Sequence, residues 1–191
     1  MNLEDIIEEI KNDPRNKDYT DKGLVPILQA DPEAKILLVG QAPGRVVEET
    51  GVPFNDKSGE KLRRWMGIDN DTFYSEKIAI VPMDLYYPGK AKQGDKAPRK
   101  FIAEDYHDKI LKTMPKIELT ILIGTYSQKY YLGKNSKKNL TETVRNYEEY
   151  LPEYFPIVHP SPLTIGWLKK NPWFEEENLP ELKRIVGQIL S

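Results

Sequence analysis

Two histidines, 30 acidic side chains and no cysteine make up the reactive inventory of this chain, and few of these groups sit where chemistry could be organised. Gly40-Gln41-Ala42-Pro43-Gly44 directly follows the apolar run Ile36-Leu37-Leu38-Val39, and His159-Pro160-Ser161-Pro162-Leu163 directly follows Phe155-Pro156-Ile157-Val158. Each reads as a loop leaving the carboxyl end of a buried strand, where open α/β sheets place their sites. Between them, Pro53-Phe54-Asn55-Asp56-Lys57-Ser58-Gly59 offers an aromatic ring, an amide and a carboxylate within one short segment. The three segments together point to a pocket for a planar polar base.

Each residue also has a plainer reading. Gly40 and Gly44 bracket a turn stiffened by Pro43, and glycine lets backbone N–H groups approach a ligand closely; a tight strand-to-helix connection explains the same residues. The turn has neither G-x-G-x-x-G nor G-x-x-x-x-G-K-[ST] spacing, which argues against ordinary nucleotide cofactors. His159, fixed between a strand and two prolines, can donate a hydrogen bond into a cleft or serve a structural role. Leu163 at the loop tip is placed to enter a base stack as an apolar wedge. Asp56 precedes a helix whose N-terminus favours negative charge, and simple capping accounts for it equally well. Phe54 is either a core residue or a stacking platform. His107, flanked by Asp105 and Asp108 in a helical stretch, is expected at the surface.

These residues need a scaffold, and the apolar pattern supplies one. Ile36 to Val39, Lys77 to Val81, Leu119 to Ile123 and Phe155 to Val158 are short β-prone runs. Helical patterns lie between and around them: Leu3 to Ile10, with Leu3, Ile6, Ile7 and Ile10 on one face; Ser58 to Met66 after an Asp56 or Lys57 cap; Ala103 to Thr113; Tyr126 to Leu132; and Thr141 to Tyr150 from an S/T-type cap. The tail from Pro172 to Leu190 reads as a helix broken or restarted at Pro180. Leu85 to Arg99 carries two prolines, two glycines and four basic residues and reads as an irregular loop. Strands alternating with helices predict an α/β fold, a single three-layer α/β/α domain around a central, mainly parallel four-stranded sheet. The whole chain, residues 1–191, is expected to form this one domain, with an N-terminal helical extension over about residues 1–30.

Composition removes several function classes. Without cysteine there are no disulfides, thiolate metal sites or iron-sulfur clusters. No apolar N-terminal stretch marks a signal peptide or membrane span, so a cytoplasmic location is expected. Lysine and arginine total 28 against 30 acids, a net charge of -2. The charges are unevenly spread: acids crowd Glu4 to Glu9 and Glu175 to Glu177, bases gather in Lys90 to Lys100 and Lys129 to Lys138, and a local basic face can hold phosphates despite the near-neutral total.

Taken in order along the chain, the motifs resemble those of the uracil-DNA glycosylase superfamily. Gly40-Gln41-Ala42-Pro43 is similar to that family's first motif, Phe54 to its stacking aromatic, Leu122-Ile123-Gly124-Thr125-Tyr126-Ser127-Gln128 to its third strand and following helix, and His159-Pro160-Ser161-Pro162-Leu163 to its last motif. The resemblance implies hydrolysis of the bond joining uracil, or another deaminated base, to deoxyribose after the nucleotide is flipped out of DNA. It implies Asp56, His159 and Gln41 as catalytic residues, and Gly40, Ala42, Phe54 and Asn55 as base-binding ones. Ser161, Leu163, Ser58, Lys137 and Lys138 would contact DNA. No cofactor, metal or membrane partner is implied, and a monomer is expected.

The chain departs from the family pattern in three places. Members with the most efficient chemistry carry Asp after the Gly-Gln pair, where this chain has Ala42. Some divergent members use a carboxylate in a segment resembling Asn55-Asp56-Lys57-Ser58-Gly59, which makes Asp56 the catalytic candidate, with Gln41 orienting water if Asp56 is too distant. The asparagine that often reads the base after the second strand has no counterpart in Val81-Pro82-Met83-Asp84-Leu85, and the cysteines that hold an iron-sulfur cluster in some members are absent. Two other readings compete with the glycosylase. An esterase-like hydrolase finds no G-x-S-x-G elbow. A binding module that kept the fold and pocket but lost turnover is made credible by Ala42.

Overall fold

A computed structural model describes all 191 residues. Strands β1 (Ile36–Val39), β2 (Ile78–Ile80), β3 (Leu119–Ile123) and β4 (Tyr154–Ile157) form one sheet in the order β2-β1-β3-β4, and every pairing is parallel. Strands covered on both faces have no polar side, which is why they are legible as continuous apolar runs. Their side chains still alternate. Ile36 and Leu38 point into one core cluster while Leu37 and Val39 point into the other.

Helices supply the outer layers. α1 (Leu3–Asn12) starts in a capping box between Asn2 and Asp5 and buries Ile6 and Ile10 beside Leu37 and Val39. α2 (Arg45–Thr50) follows the turn after β1. α3 (Lys57–Met66) is capped by Asp56 and stopped by Gly67 in the left-handed region; Leu62, Trp65 and Met66 go into the opposite core, with Ile36 and Leu38. α4 (Thr125–Leu132) leaves β3, and α5 (Ile165–Lys170) follows the loop after β4. A π-helical turn, Phe174–Asn178, leads into α6 (Leu179–Leu190), whose first turn holds Pro180. No helix is long and apolar enough to cross a membrane.

Two local expectations change. The segment expected as one helix over Thr141 to Tyr150 is an α-helix, Leu140–Arg145, followed by a 3-10 turn, Tyr147–Tyr150, and its cap is Asn139, which accepts from the Glu142 N–H at 2.9 Å. The Leu85 to Arg99 stretch is an irregular loop, as expected, with Leu85 and Tyr86 buried and one antiparallel bridge between Lys90 and Asp95. His107 is buried rather than exposed. It closes a π-helical turn, Ala103–His107, set between the α-helical pieces Lys100–Ile102 and Asp108–Leu111.

The chain leaves β1 toward β2 on one side and then crosses to β3 on the other. Loops at the carboxyl ends of β1 and β3 therefore diverge, and a crevice opens where they part.

Candidate active site

The loops after β1, β2 and β4, together with the start of α3, line a cleft of about 320 Å³. Gly40, Gln41, Ala42, Phe54, Asp56, Ser58, His159, Ser161 and Leu163 all border it, so most of the residues singled out from the sequence converge.

Phe54 forms one wall, and its backbone is unusual. It has φ 55°, the one non-glycine residue in the left-handed region, a conformation costing about 1–2 kcal/mol. Local bonds over-determine it. Arg63 donates from Nη1 to the Phe54 carbonyl at 3.2 Å, and the Tyr74 hydroxyl donates to the Pro53 carbonyl at 2.9 Å. Arg63 is itself buried over the rings of Phe73 and Tyr74. Two glycines make room. A Cβ on Gly59 would stand 1.7 Å from the Phe54 carbonyl oxygen, and one on Gly40 would stand 3.2 Å from the ring's Cζ. Strain held this firmly in a cleft residue is the mark of a preorganised surface. The ring edge rests on Phe73, so Phe54 is at once core packing and cleft wall.

The turn after β1 is pinned through its carbonyls: Met83 donates to the Gly40 oxygen at 2.9 Å and Asp84 to the Gln41 oxygen at 3.1 Å. The N–H groups of Gln41 and Ala42 have no partner in the chain. On the opposite wall, His159 is positioned by the end of β4. Gly124 donates to the Ile157 carbonyl at 3.0 Å, and the buried Gln128 amide ties the carbonyls of Leu122 and Ile157 together at 3.2 and 2.9 Å. Burial holds the His159 imidazole below its ordinary range, with the charges of Asp56 and Asp95 opposing that effect in part, so the ring is neutral near pH 7. Its Nδ1 is sealed from solvent without a hydrogen-bond partner. A neutral ring protonated on Nε2 leaves only a lone pair in that sealed position and keeps an N–H donor for the cleft.

Two carboxylates border the space. Asp56 accepts from the Gly59 N–H at 2.8 Å, which settles it as the cap of α3 while its residue still lines the cleft. The second, Asp95, escaped the sequence reading because it arrives from the Leu85 to Arg99 stretch; its signal was a lone acid among the bases of Lys90 to Lys100. Neutral donors on two walls, an aromatic platform and two carboxylates suit a planar ligand that gains negative charge beside a neighbour that gains positive charge.

The family model described as "Uracil DNA glycosylase superfamily" matches residues 28–183. The chain belongs to that superfamily. The chain is also similar to the solution NMR structure of a "putative Uracil DNA glycosylase" from Methanosarcina acetivorans, with 15% identity over 86% of this chain and 96% of that one and a TM-score of 0.47. In this superfamily member three of the residues read from the sequence lie outside the cleft lining: Asn55 is exposed, Lys137 is paired with Glu149 at 2.5 Å, and Lys138 is exposed. Leu163 is the most exposed large apolar residue, at 84%. No group of three or more His, Cys, Asp or Glu side chains gathers as it would around a metal ion.

Proposed function

We propose that this protein is a monofunctional DNA glycosylase that hydrolyses the N-glycosidic bond of uracil, or of another deaminated base, extruded from DNA. The observation that carries the reading is the convergence of Phe54, Asp56 and His159 on one cleft with the unpartnered N–H groups of Gln41 and Ala42. The flipped base stacks on Phe54. As the bond from the sugar to the base nitrogen breaks, its electron pair moves onto the base, and the His159 N–H together with the turn N–H groups stabilises the resulting anion. The carboxylate of Asp56 stabilises the positive charge that develops on the sugar. Ser58 and Ser161 hold flanking phosphates, and Leu163 fills the gap left in the helix. Superfamily membership supports DNA as the partner, and a monomer in the cytoplasm fits this work.

The test is a labelled duplex with one uracil, incubated with excess protein and then treated with alkali. A break at the uracil is the expected result. An intact strand beside retained DNA affinity would make the protein a base-binding module, the reading favoured by Ala42 and by the use of Asp56 as a helix cap.

A further inference from the structure

Asp95 sits on a small hairpin whose geometry is firmly set. Lys96 donates to the Gly89 carbonyl at 2.8 Å, Ala91 donates to that of Gly94 at 3.0 Å, and Lys90 bridges Asp95. Its base is tied to the core by the fully buried Asp84, which accepts from Arg99 Nε and Nη2, both at 2.9 Å, and from the Arg99 backbone N–H at 3.0 Å. Arg99 also reaches Asn16 Oδ1 at 2.8 Å and lies over the rings of Tyr19 and Phe101. A bidentate buried pair of this kind fixes both ends of the Leu85 to Arg99 stretch.

Held this way, Asp95 faces the turn after β1. Its Oδ1 accepts from the Tyr87 hydroxyl at 3.3 Å. Its Oδ2 makes no bond within the chain and lies 4.0 Å from the point where a Cβ on Gly44 would stand. Gly44, lacking a Cβ, keeps that approach open. The two carboxylates of the cleft are thus not equivalent. Asp56 has Oδ1 committed to the Gly59 N–H at a helix terminus, where a fixed negative charge is favoured. Asp95 is exposed at the cleft mouth with one oxygen uncommitted.

We propose that Asp95 is a further catalytic residue of this cleft, the group that takes the proton from the attacking water while Asp56 supplies fixed charge. The assignment rests on the glycosylase reading above. In the step, the water oxygen bonds to the sugar carbon that is losing the base, the carbon–nitrogen bond breaks with its electron pair passing to the base, and the released water proton passes to Asp95 Oδ2. Position agrees with the role. Phe54 packs against Gly40 at the end of β1, whereas Asp95 and Leu163 are exposed on the cleft's border, so a base stacked on Phe54 would leave its sugar toward that border. The field of Asp95 is also felt at His159 across the cleft.

The experiment measures single-turnover cleavage of the uracil duplex by the unmodified protein, Asp95→Asn, Asp95→Ala and Asp56→Ala, with DNA affinity followed in parallel by anisotropy. Both Asp95 variants are expected to cleave on the order of a hundredfold more slowly, with affinity for DNA retained. Sodium formate should restore part of the rate to Asp95→Ala and none to Asp56→Ala, because a small free carboxylate can replace a proton acceptor at an open mouth. Unaltered cleavage by both Asp95 variants overturns the proposal and leaves the glycosylase reading standing. A loss in Asp95→Ala that formate does not relieve overturns it too, reducing Asp95 to a positioning residue. An intact strand with the unmodified protein in excess removes both readings together.

Discussion

His107 and His159 are the chain's two histidines, and burial holds both rings below their ordinary range. Their surroundings differ in everything else. His107 is 1% exposed, with Nε2 at 2.8 Å from the Pro82 carbonyl and Nδ1 at 2.7 Å from the Tyr131 hydroxyl. A carbonyl can only accept, so Nε2 carries the proton and Nδ1 accepts from the phenol; the ring is filled on both sides. His159 has one nitrogen sealed without a partner and the other without a bond in the chain. A depressed pKa is therefore no guide to which histidine is functional. Hydrogen-bonding capacity left free at the cleft is the guide: His159 Nε2 has no partner in the chain and can serve a ligand, whereas both nitrogens of His107 are taken.

The largest expected difference between the two is in catalysis. His159→Ala should slow cleavage of a uracil duplex by roughly a hundredfold or more. Its urea midpoint should stay within about 1 kcal/mol of the parent, since the ring removed satisfies no bond of the fold. His107→Ala should do the reverse: it strands the Pro82 carbonyl and the Tyr131 hydroxyl and empties a packed site, for a loss of about 3 kcal/mol. Cleavage per folded molecule should then fall only a few-fold. If both variants lose stability equally and activity equally, the contrast is broken.

The difference in legibility between these two histidines has a physical cause. The four strands could be read because parallel strands buried on both faces are runs of apolar residues, and the cleft loops because they leave the carboxyl ends of those runs. His159 stands in one of those loops, a position that by itself leaves a structural role open, and the structure adds its place on the cleft. His107 lies between Asp105 and Asp108, so a regular 3.6-residue period sends it to solvent, but the π-helical turn Ala103–His107 adds a residue to the local repeat and swings it inward. Asp95 was illegible for another reason. Its place depends on the Asp84–Arg99 pair, two residues fifteen apart whose meeting no local pattern announces.

Acid sharpens the contrast next. The folded state depresses the His107 pKa from 6.5 to about 4, chiefly by burial, so between these values the unfolded chain binds more protons than the native one. Stability from this ring is complete above pH 6.5 and is lost as pH falls toward 4. From pH 7 to pH 5 the loss from this site should be on the order of 2 kcal/mol. Urea titrations at the two pH values should show it in the parent and show it reduced in His107→Gln. An equal pH dependence in the variant would assign the acid sensitivity elsewhere, His159 included, whose shift has the same sign.

Tyr131→Phe probes the comparison most gently. The Tyr131 hydroxyl donates to His107 Nδ1, and burial pushes that phenol well above its ordinary range, so it is un-ionised at every pH of interest. Its removal deletes one hydrogen bond and leaves Nδ1 a buried lone pair without a partner, the condition of His159 Nδ1 in the parent. The expected loss is about 1 kcal/mol, read from the urea midpoint, with cleavage unchanged. What matters is the ring's response to acid. Nδ1 is the nitrogen that must take the second proton for the ring to charge, and in the parent the phenol oxygen can turn and accept from that N–H, whereas a phenylalanine ring leaves a buried cationic N–H without an acceptor. The drop in stability between pH 7 and pH 5, which the neutral native ring already sets by burial, should therefore be the same in Tyr131→Phe as in the parent. A smaller drop would mean that the variant ring charges above pH 5, and that the phenol rather than burial holds His107 neutral in the parent.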